Sequence, residues 1–259
     1  MIGDEGVVRP TLLAQWALQG NGTIDCGFID YVRGVMWLYQ RFGNEFSIKP
    51  VIPADFSLSR AFDWSNPELA DTVVLPFMPE WVLRKYIGMQ SGGEVRLMTN
   101  HLPDLTDVSR FKWLLTPKKE YDCPSDDLVR NTITGDYYCI HVRTYWSSDM
   151  SDLASDAQLN RYKQKVESVV NEYQDLPVVL VCDDDRLKTI PRVIHSPAKN
   201  MKHSLMTMTD EDIVYFFTDM KFISRAKAVT SVCDFTWNST GFSEMPCAVH
   251  GVPYKNVRL

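Results

Sequence analysis

Gly135-Asp-Tyr-Tyr-Cys-Ile-His-Val-Arg-Thr144 is the stretch that organises the rest of the chain. Tyr137 to Val142 is a short apolar, β-prone run that holds one histidine, His141. A run of this composition predicts a buried strand. Arg143 follows at its carboxyl edge. Ligands of open α/β sheets sit outside the carboxyl ends of the strands, so an arginine in this position faces the place where chemistry is done. Its guanidinium is permanently charged and presents a rigid fork of donors that suits phosphate oxygens. The competing reading of the same residues is an ordinary edge arginine beside a core histidine.

Downstream, strand-like and helix-like segments alternate. Leu159 to Tyr173 has the spacing of an amphipathic helix, and Pro177-Val-Val-Leu-Val-Cys182 reads as a buried strand running into Asp183-Asp184-Asp185. Asp210 to Ala226 predicts a helix with Thr209 as N-cap, and Ala228 to Val232 the next strand. Ser239-Thr-Gly-Phe-Ser243 opens a further helical segment, and His250 to Tyr254 a last turn and strand. This alternation predicts a parallel sheet covered by helices.

Upstream the pattern is less regular. Thr23 to Gly27 reads as a short strand entering a glycine turn, followed by a helix over Asp30–Phe42 that Gly43 ends. Phe46 to Ile52 predicts a strand that Pro50 moves towards a sheet edge. Residues 53 to 78 are rich in Pro, Asp and Ser and read as irregular. Pro79 to Met89 predicts a helix, and Glu94 to Thr99 a strand. Phe111 to Thr132 reads as a helix-rich connection, which sets the expected division into residues 1–125 and 126–259.

The 259 residues suffice for two modest α/β domains, and 45 % hydrophobic with 23 % charged residues is the balance of a globular chain. A net charge of −6 without a basic block speaks against a nucleic-acid surface, so an anionic substrate needs a local basic pocket. Six cysteines without a CxxC pair read as buried reduced thiols rather than a disulfide framework or a zinc site. The charged N-terminus and the lack of any long apolar run predict neither a signal peptide nor a membrane span, hence a cytoplasmic protein of bacterial, viral or host-cytosolic setting. The sequons at Asn21 and Asn238 are read as coincidental.

Taken together, the motifs resemble the fucosyltransferase-like GT-B superfamily of α1,2-, α1,6- and protein O-fucosyltransferases. Ile140-His-Val-Arg143 is similar to its His-x-Arg motif, and Val178-Val-Leu-Val-Cys-Asp-Asp184 to its strand ending in Asp-Asp. Asp219-Met-Lys-Phe-Ile-Ser-Arg-Ala-Lys-Ala228 resembles the following helix, and Ser239-Thr-Gly-Phe-Ser243 the Ser-rich loop after it. Gly27-Phe-Ile-Asp-Tyr-Val-Arg-Gly34 looks like the N-domain glycine loop, and Phe111 to Pro117 like the linker before the His-x-Arg strand. The sequence departs from the pattern at Thr144-Tyr-Trp, where a second arginine or an acidic residue often follows, and at Ile29, which replaces a glycine. The chain is also short for this fold.

The resemblance implies two Rossmann-type domains facing a cleft. It implies inverting, metal-independent transfer of a sugar, fucose from GDP-fucose, to a glycan hydroxyl, with no cofactor. Arg143 is then the catalytic cation on the donor pyrophosphate, where a preorganised positive charge stabilises the leaving group. Asp30 is the candidate base by position. Gly27, Arg33, His141, Asp183, Asp184, Asp219, Ser239, Thr240, Gly241, Phe242 and Ser243 are the expected nucleotide-sugar contacts. Among these, the Asp219 carboxylate accepts two donors from a guanine. Phe62, Trp64 and Phe77 are candidates for stacking on sugar rings.

Each residue also has a plain structural reading. Asp219 is alternatively a helix-surface aspartate, Arg33 a solvated helix residue, Ser239–Ser243 a simple cap, and the three aspartates a solvated turn capping the next helix. Two other functions fit the same features: metal-dependent transfer from a UDP- or other NDP-sugar through Asp183 and Asp185, and a non-catalytic nucleotide- or glycan-binding module.

Overall fold

The computed structural model describes residues 10–15, 27–52, 56–63, 73–74, 79–89, 94–98, 101–144, 154–198, 207–234 and 241–259. The chain divides into two compact units. One comprises Met1–Ser59 and Asp63–Asp104; the other comprises Arg60–Phe62 and Leu105–Leu259.

The first unit carries a parallel four-stranded sheet built from β1 (Thr11–Gln15), β2 (Ser47–Val51), β3 (Val73–Val74) and β4 (Glu94–Met98), in the order β2-β1-β4-β3. Pro50 does lie on an edge strand, paired with Ala14, and its missing N–H costs the ladder little there. Helices α1 (Phe28–Phe42) and α2 (Glu80–Met89) belong to the same unit. The α1 helix starts at Phe28, two residues before the expected Asp30, with Gly27 as N-cap. Its broad apolar face is buried through Phe28, Tyr31, Val32, Val35, Met36 and Leu38. Gly43 closes α1 in a right-handed conformation, where a Cβ would meet the Tyr39 carbonyl oxygen at 2.5 Å.

The second unit holds α3 (Lys119–Thr132), β5 (Tyr138–Arg143), α4 (Asp156–Glu172), β6 (Val178–Cys182) and β7 (Ile194–His195). After these come α5 (Asp210–Arg225), β8 (Ala228–Cys233), α6 (Gly241–His250) and β9 (Tyr254–Arg258). The five strands form one parallel sheet in the order β7-β6-β5-β8-β9. The chain lays strands outward from β5 in one direction, then returns to lay β8 and β9 on the other side. The order therefore reverses between β5 and β8, the position where doubly wound sheets bind ligands.

Alternation along β5 assigns its two faces. Ile140 and Val142 pack with Leu159, Tyr162, Val166 and Val169 of α4. Cys139 points the other way, into a cluster with Val129 of α3, Phe222 and Ile223 of α5, and Cys247 of α6. By the same two-residue period His141 and Arg143 belong to that second face. The helices α4, before β6, and α5, before β8, both start with reciprocal side-chain caps, Ser155 with Gln158 and Thr209 with Asp212. The first box starts α4 three residues before the expected Leu159.

The expected division between residues 125 and 126 falls inside α3. That helix packs on α5 through Lys221, whose ammonium reaches Asp122 and Asp126, so α3 belongs to the second unit from its start. Four cysteines (Cys139, Cys182, Cys233 and Cys247) are buried as expected, while Cys123 is exposed on the solvent side of α3. Cys26 lies outside the described residues. No helix among the described residues is long and apolar enough to cross a membrane.

Candidate functional site

The carboxyl end of the second sheet brings several of the expected residues together. Arg143 ends β5 and is half-buried, in register with Cys233 of β8. Two residues earlier His141 is buried, and its Nδ1 lies 3.1 Å from the Ser243 hydroxyl. Phe242 tilts over the imidazole with ring centroids 5.4 Å apart, and Phe216 of α5 meets Phe242 edge-on at 5.3 Å. The first turn of α6 is thereby fastened to the central strand. Burial, and then the neighbouring charge of Arg143, push the imidazole down to about 3, so His141 is neutral at physiological pH.

Gly241, Phe242 and Ser243 open α6, where the positive end of the helix dipole favours an anion. Ser239 and Thr240 lie outside the described residues, as do Trp64 and Phe77.

The acidic run after β6 is solvated only in part: Asp185 is exposed and Asp183 half-buried, but Asp184 is buried and caps the turn that follows. Asp183 accepts from the Thr144 backbone N–H at 2.9 Å and from the Thr144 hydroxyl at 2.9 Å. Asp184 is 3 % exposed, caps the 3-10 turn over Asp185–Thr189 through the Arg186 N–H, and pairs with the Arg186 guanidinium at 2.6 Å. Asp185 pairs with Lys188 at 2.7 Å. A metal at Asp183 and Asp185 would have to compete with these partners. No group of three or more His, Cys, Asp or Glu side chains spaced for a metal occurs among the described residues.

Asp219 is not a surface residue. It is 1 % exposed in mid-helix, where its Oδ1 accepts a short hydrogen bond from the Ser196 hydroxyl and its Oδ2 has no hydrogen-bond partner. Burial raises its carboxyl to about 7, an effect that Ser196 and the charge of Lys188 only partly offset. A buried carboxyl oxygen without a donor is costly.

In the first unit Gly27 caps α1, and Asp30 pairs with Arg33 at 3.1 Å. Arg33 is 9 % exposed, so its reading as a solvated residue is corrected. Its position falls on the buried side of a helix whose apolar face is wider than its spacing suggests. Phe62 is buried edge-to-face on Phe217, at 5.7 Å, so this ring is core and not a platform for a sugar.

Sequence reading missed Ser196, Thr144, Tyr162 and Lys188. Ser196 follows a strand of only two residues, too short to leave a pattern. Tyr162 lies on the apolar stripe of α4 and looks like core. A small pocket lined by Leu115, Pro117, Lys221, Arg225, Pro246 and His250 holds none of the expected site residues.

No protein-family description matches the chain, and no curated protein does. Solved structures do. The fucosyltransferase NodZ from Bradyrhizobium, an α-1,6-fucosyltransferase co-crystallised with GDP, is 12 % identical with a TM-score of 0.54, over 93 % of this chain and 92 % of that one. The same enzyme soaked with GDP-fucose is 11 % identical with a TM-score of 0.52, over 93 % and 92 %. A single-site mutant of Arabidopsis thaliana FUT1 in complex with GDP is 11 % identical with a TM-score of 0.54, over 99 % of this chain and 72 % of that one. The topology and these likenesses agree on the fold: the chain is α/β with parallel sheets, folded like these fucosyltransferases.

Proposed function

We propose that this protein is a glycosyltransferase that moves a sugar, fucose from GDP-fucose, onto a glycan hydroxyl with inversion and without a metal. The observation that carries the proposal is Arg143. It ends the central strand where the strand order reverses, beside the His141–Ser243–Phe242 cluster, in a fold shared with fucosyltransferases co-crystallised with GDP or soaked with GDP-fucose.

As the glycosyl bond breaks, negative charge grows on the β-phosphate. A fixed guanidinium there stabilises the transition state, and removing such a donor typically costs about 2.7–4 kcal/mol. It supplies the role that a divalent cation plays in other transferases. The neutral His141 lines the nucleotide, and the N-terminal turn of α6 with Ser239 and Thr240 receives phosphate oxygens. Asp219 accepts the two N–H donors of guanine through the carboxylate whose buried Oδ2 has no protein donor. Asp30 is the proposed base, with Gly27 and Arg33 beside it in sequence. Asp183 and Asp184 serve through their neighbours, not as metal ligands.

Thermal-shift measurements with GDP, UDP and their sugars test this directly. Stabilisation follows the logarithm of ligand excess, about 2.7 kcal/mol at a hundredfold excess over Kd. GDP-selective stabilisation with transfer in excess EDTA is expected. Stabilisation by UDP with manganese points to the metal-dependent alternative, and binding without transfer to a non-catalytic module. Arg143→Lys is expected to lose most transfer while keeping the fold, because a point charge cannot reproduce the fork. Near-parental turnover of that variant refutes the role.

A further inference from the structure

Both polar groups of one peptide unit at the sheet's carboxyl end are held by side chains that the proposed chemistry does not itself use. The Arg143 carbonyl accepts a hydrogen bond from the Tyr162 hydroxyl at 3.0 Å. The Thr144 N–H, the other half of the same peptide, donates to both oxygens of Asp183 at 2.9 and 3.0 Å. The Tyr162 hydroxyl also accepts from the Asp234 N–H at 3.2 Å. One oxygen thus bridges the ends of β5 and β8, the two strands between which the order reverses.

The ladder explains why side chains are needed there. Pairing of β5 with β8 ends at Arg143 with Cys233, so among the described residues the next peptide lies past the end of the ladder. An unheld peptide can rotate, and the arginine that precedes it turns with it. Tyr162 sits on the buried stripe of α4, 2 % exposed, where phenylalanine would fill the same space without a hydroxyl to satisfy. Burial raises the phenol well above its usual range, so it stays a donor across the working pH. A phenol oxygen gives one bond and accepts another, and here both go to backbone at the strand ends.

We infer that Tyr162 and Asp183 are positioning residues that clamp the Arg143–Thr144 peptide and thereby set the direction in which the Arg143 guanidinium meets a nucleoside diphosphate. The identity of that ligand rests on the sugar-transfer reading above; the clamp itself does not.

Calorimetric titration of the full chain with GDP and with guanosine tests the inference on the parent, Tyr162→Phe, Arg143→Ala and the double variant. Tyr162→Phe is expected to weaken GDP roughly ten-fold, as loss of about one well-made hydrogen bond would. Guanosine affinity is expected to stay unchanged, and the Tyr162 effect to vanish once Arg143 is alanine. Equal weakening of both ligands, or an undiminished effect in the double variant, overturns the assignment, because general loosening would act without Arg143. Should Tyr162→Phe fail to fold, Asp183→Ala is expected to show the same GDP-selective loss. Asp183→Asn, which keeps an acceptor for the Thr144 N–H without the charge, is expected to restore most of it. An asparagine as weak as alanine overturns the clamp. A parent that binds no GDP overturns the transfer reading and the inference together, whereas a parent that binds GDP with Tyr162→Phe unchanged overturns the inference alone.

Discussion

His141 and Asp219 show how burial moves two ionisable residues in opposite directions. Burial disfavours the charged form of each, so the imidazole falls to about 3 and the carboxyl rises to about 7. The His141 ring is therefore expected to give NMR resonances that do not titrate between about pH 5 and 8, the window in which an ordinary histidine changes charge. A midpoint near the ordinary value would mean that the ring is open to water. Asp219 has the reverse sign of a usual salt-bridged aspartate. Between the unfolded value of about 4 and the folded value of about 7, the folded state holds a proton that the unfolded state has lost. Stability falls as pH rises through that window. Asp219→Asn is accordingly expected to melt higher than the parent above about pH 7, with the difference fading towards about pH 4. The same variant is expected to lose any preference for guanine. Melting curves across pH and a nucleotide titration check the two halves separately.

At the scale of elements, Lys221 and Arg225 of α5 tie that helix to α3. Lys221 is 9 % exposed; its ammonium donates to Asp126, meets the Asp122 carboxylate at 2.7 Å and the Asp122 carbonyl at 2.6 Å. Arg225 joins Asp126 at 2.6 Å. Burial alone would raise the Asp126 carboxyl, but the hydrogen bonds and charges of Lys221 and Arg225 outweigh it and hold the group below its usual range. The stability this contributes is present above the ordinary carboxylate range and is lost as pH falls through the depressed folded value. Lys221→Met leaves two carboxylates short of a donor and is expected to cost about 1–3 kcal/mol near neutral pH. Urea unfolding at neutral and at strongly acidic pH checks this, since the difference from the parent should shrink once the carboxylates are protonated. Equal cost at both pH values would assign the effect to packing of the lysine stem instead.

At the scale of the whole molecule, the chain does not pass once from one unit to the other. Arg60–Phe62 belong to the second unit although Asp63–Asp104 return to the first. The Ala61 carbonyl accepts the Lys118 N–H at 2.7 Å, Arg60 pairs with Asp210 at 2.7 Å, and Phe62 packs on Phe217. Phe62→Ala is expected to cost about 3–5 kcal/mol, the usual range for a buried phenylalanine. Hydrogen exchange should report the loss in α5 and its neighbours; loss confined to residues 27–52 would place the side chain's contribution in the other unit.

Local rules made much of this protein readable. The apolar runs that became β5, β6 and β8, the Thr209 start of α5, the edge position forced by Pro50 and the α/β class all follow from period, capping and a missing N–H. These act over a few neighbouring residues, so the sequence carries them directly. The partners of Asp183, the burial of Arg33, the bond from Ser196 to Asp219 and the membership of Arg60–Phe62 were settled only by tertiary packing. Each depends on residues far apart in the chain meeting in space, and on which face of an element is covered. A side chain at Tyr162 or Asp219 is the same letter whether it faces water, core or a ligand; the folded chain alone fixes its surroundings, and with them its charge and its role.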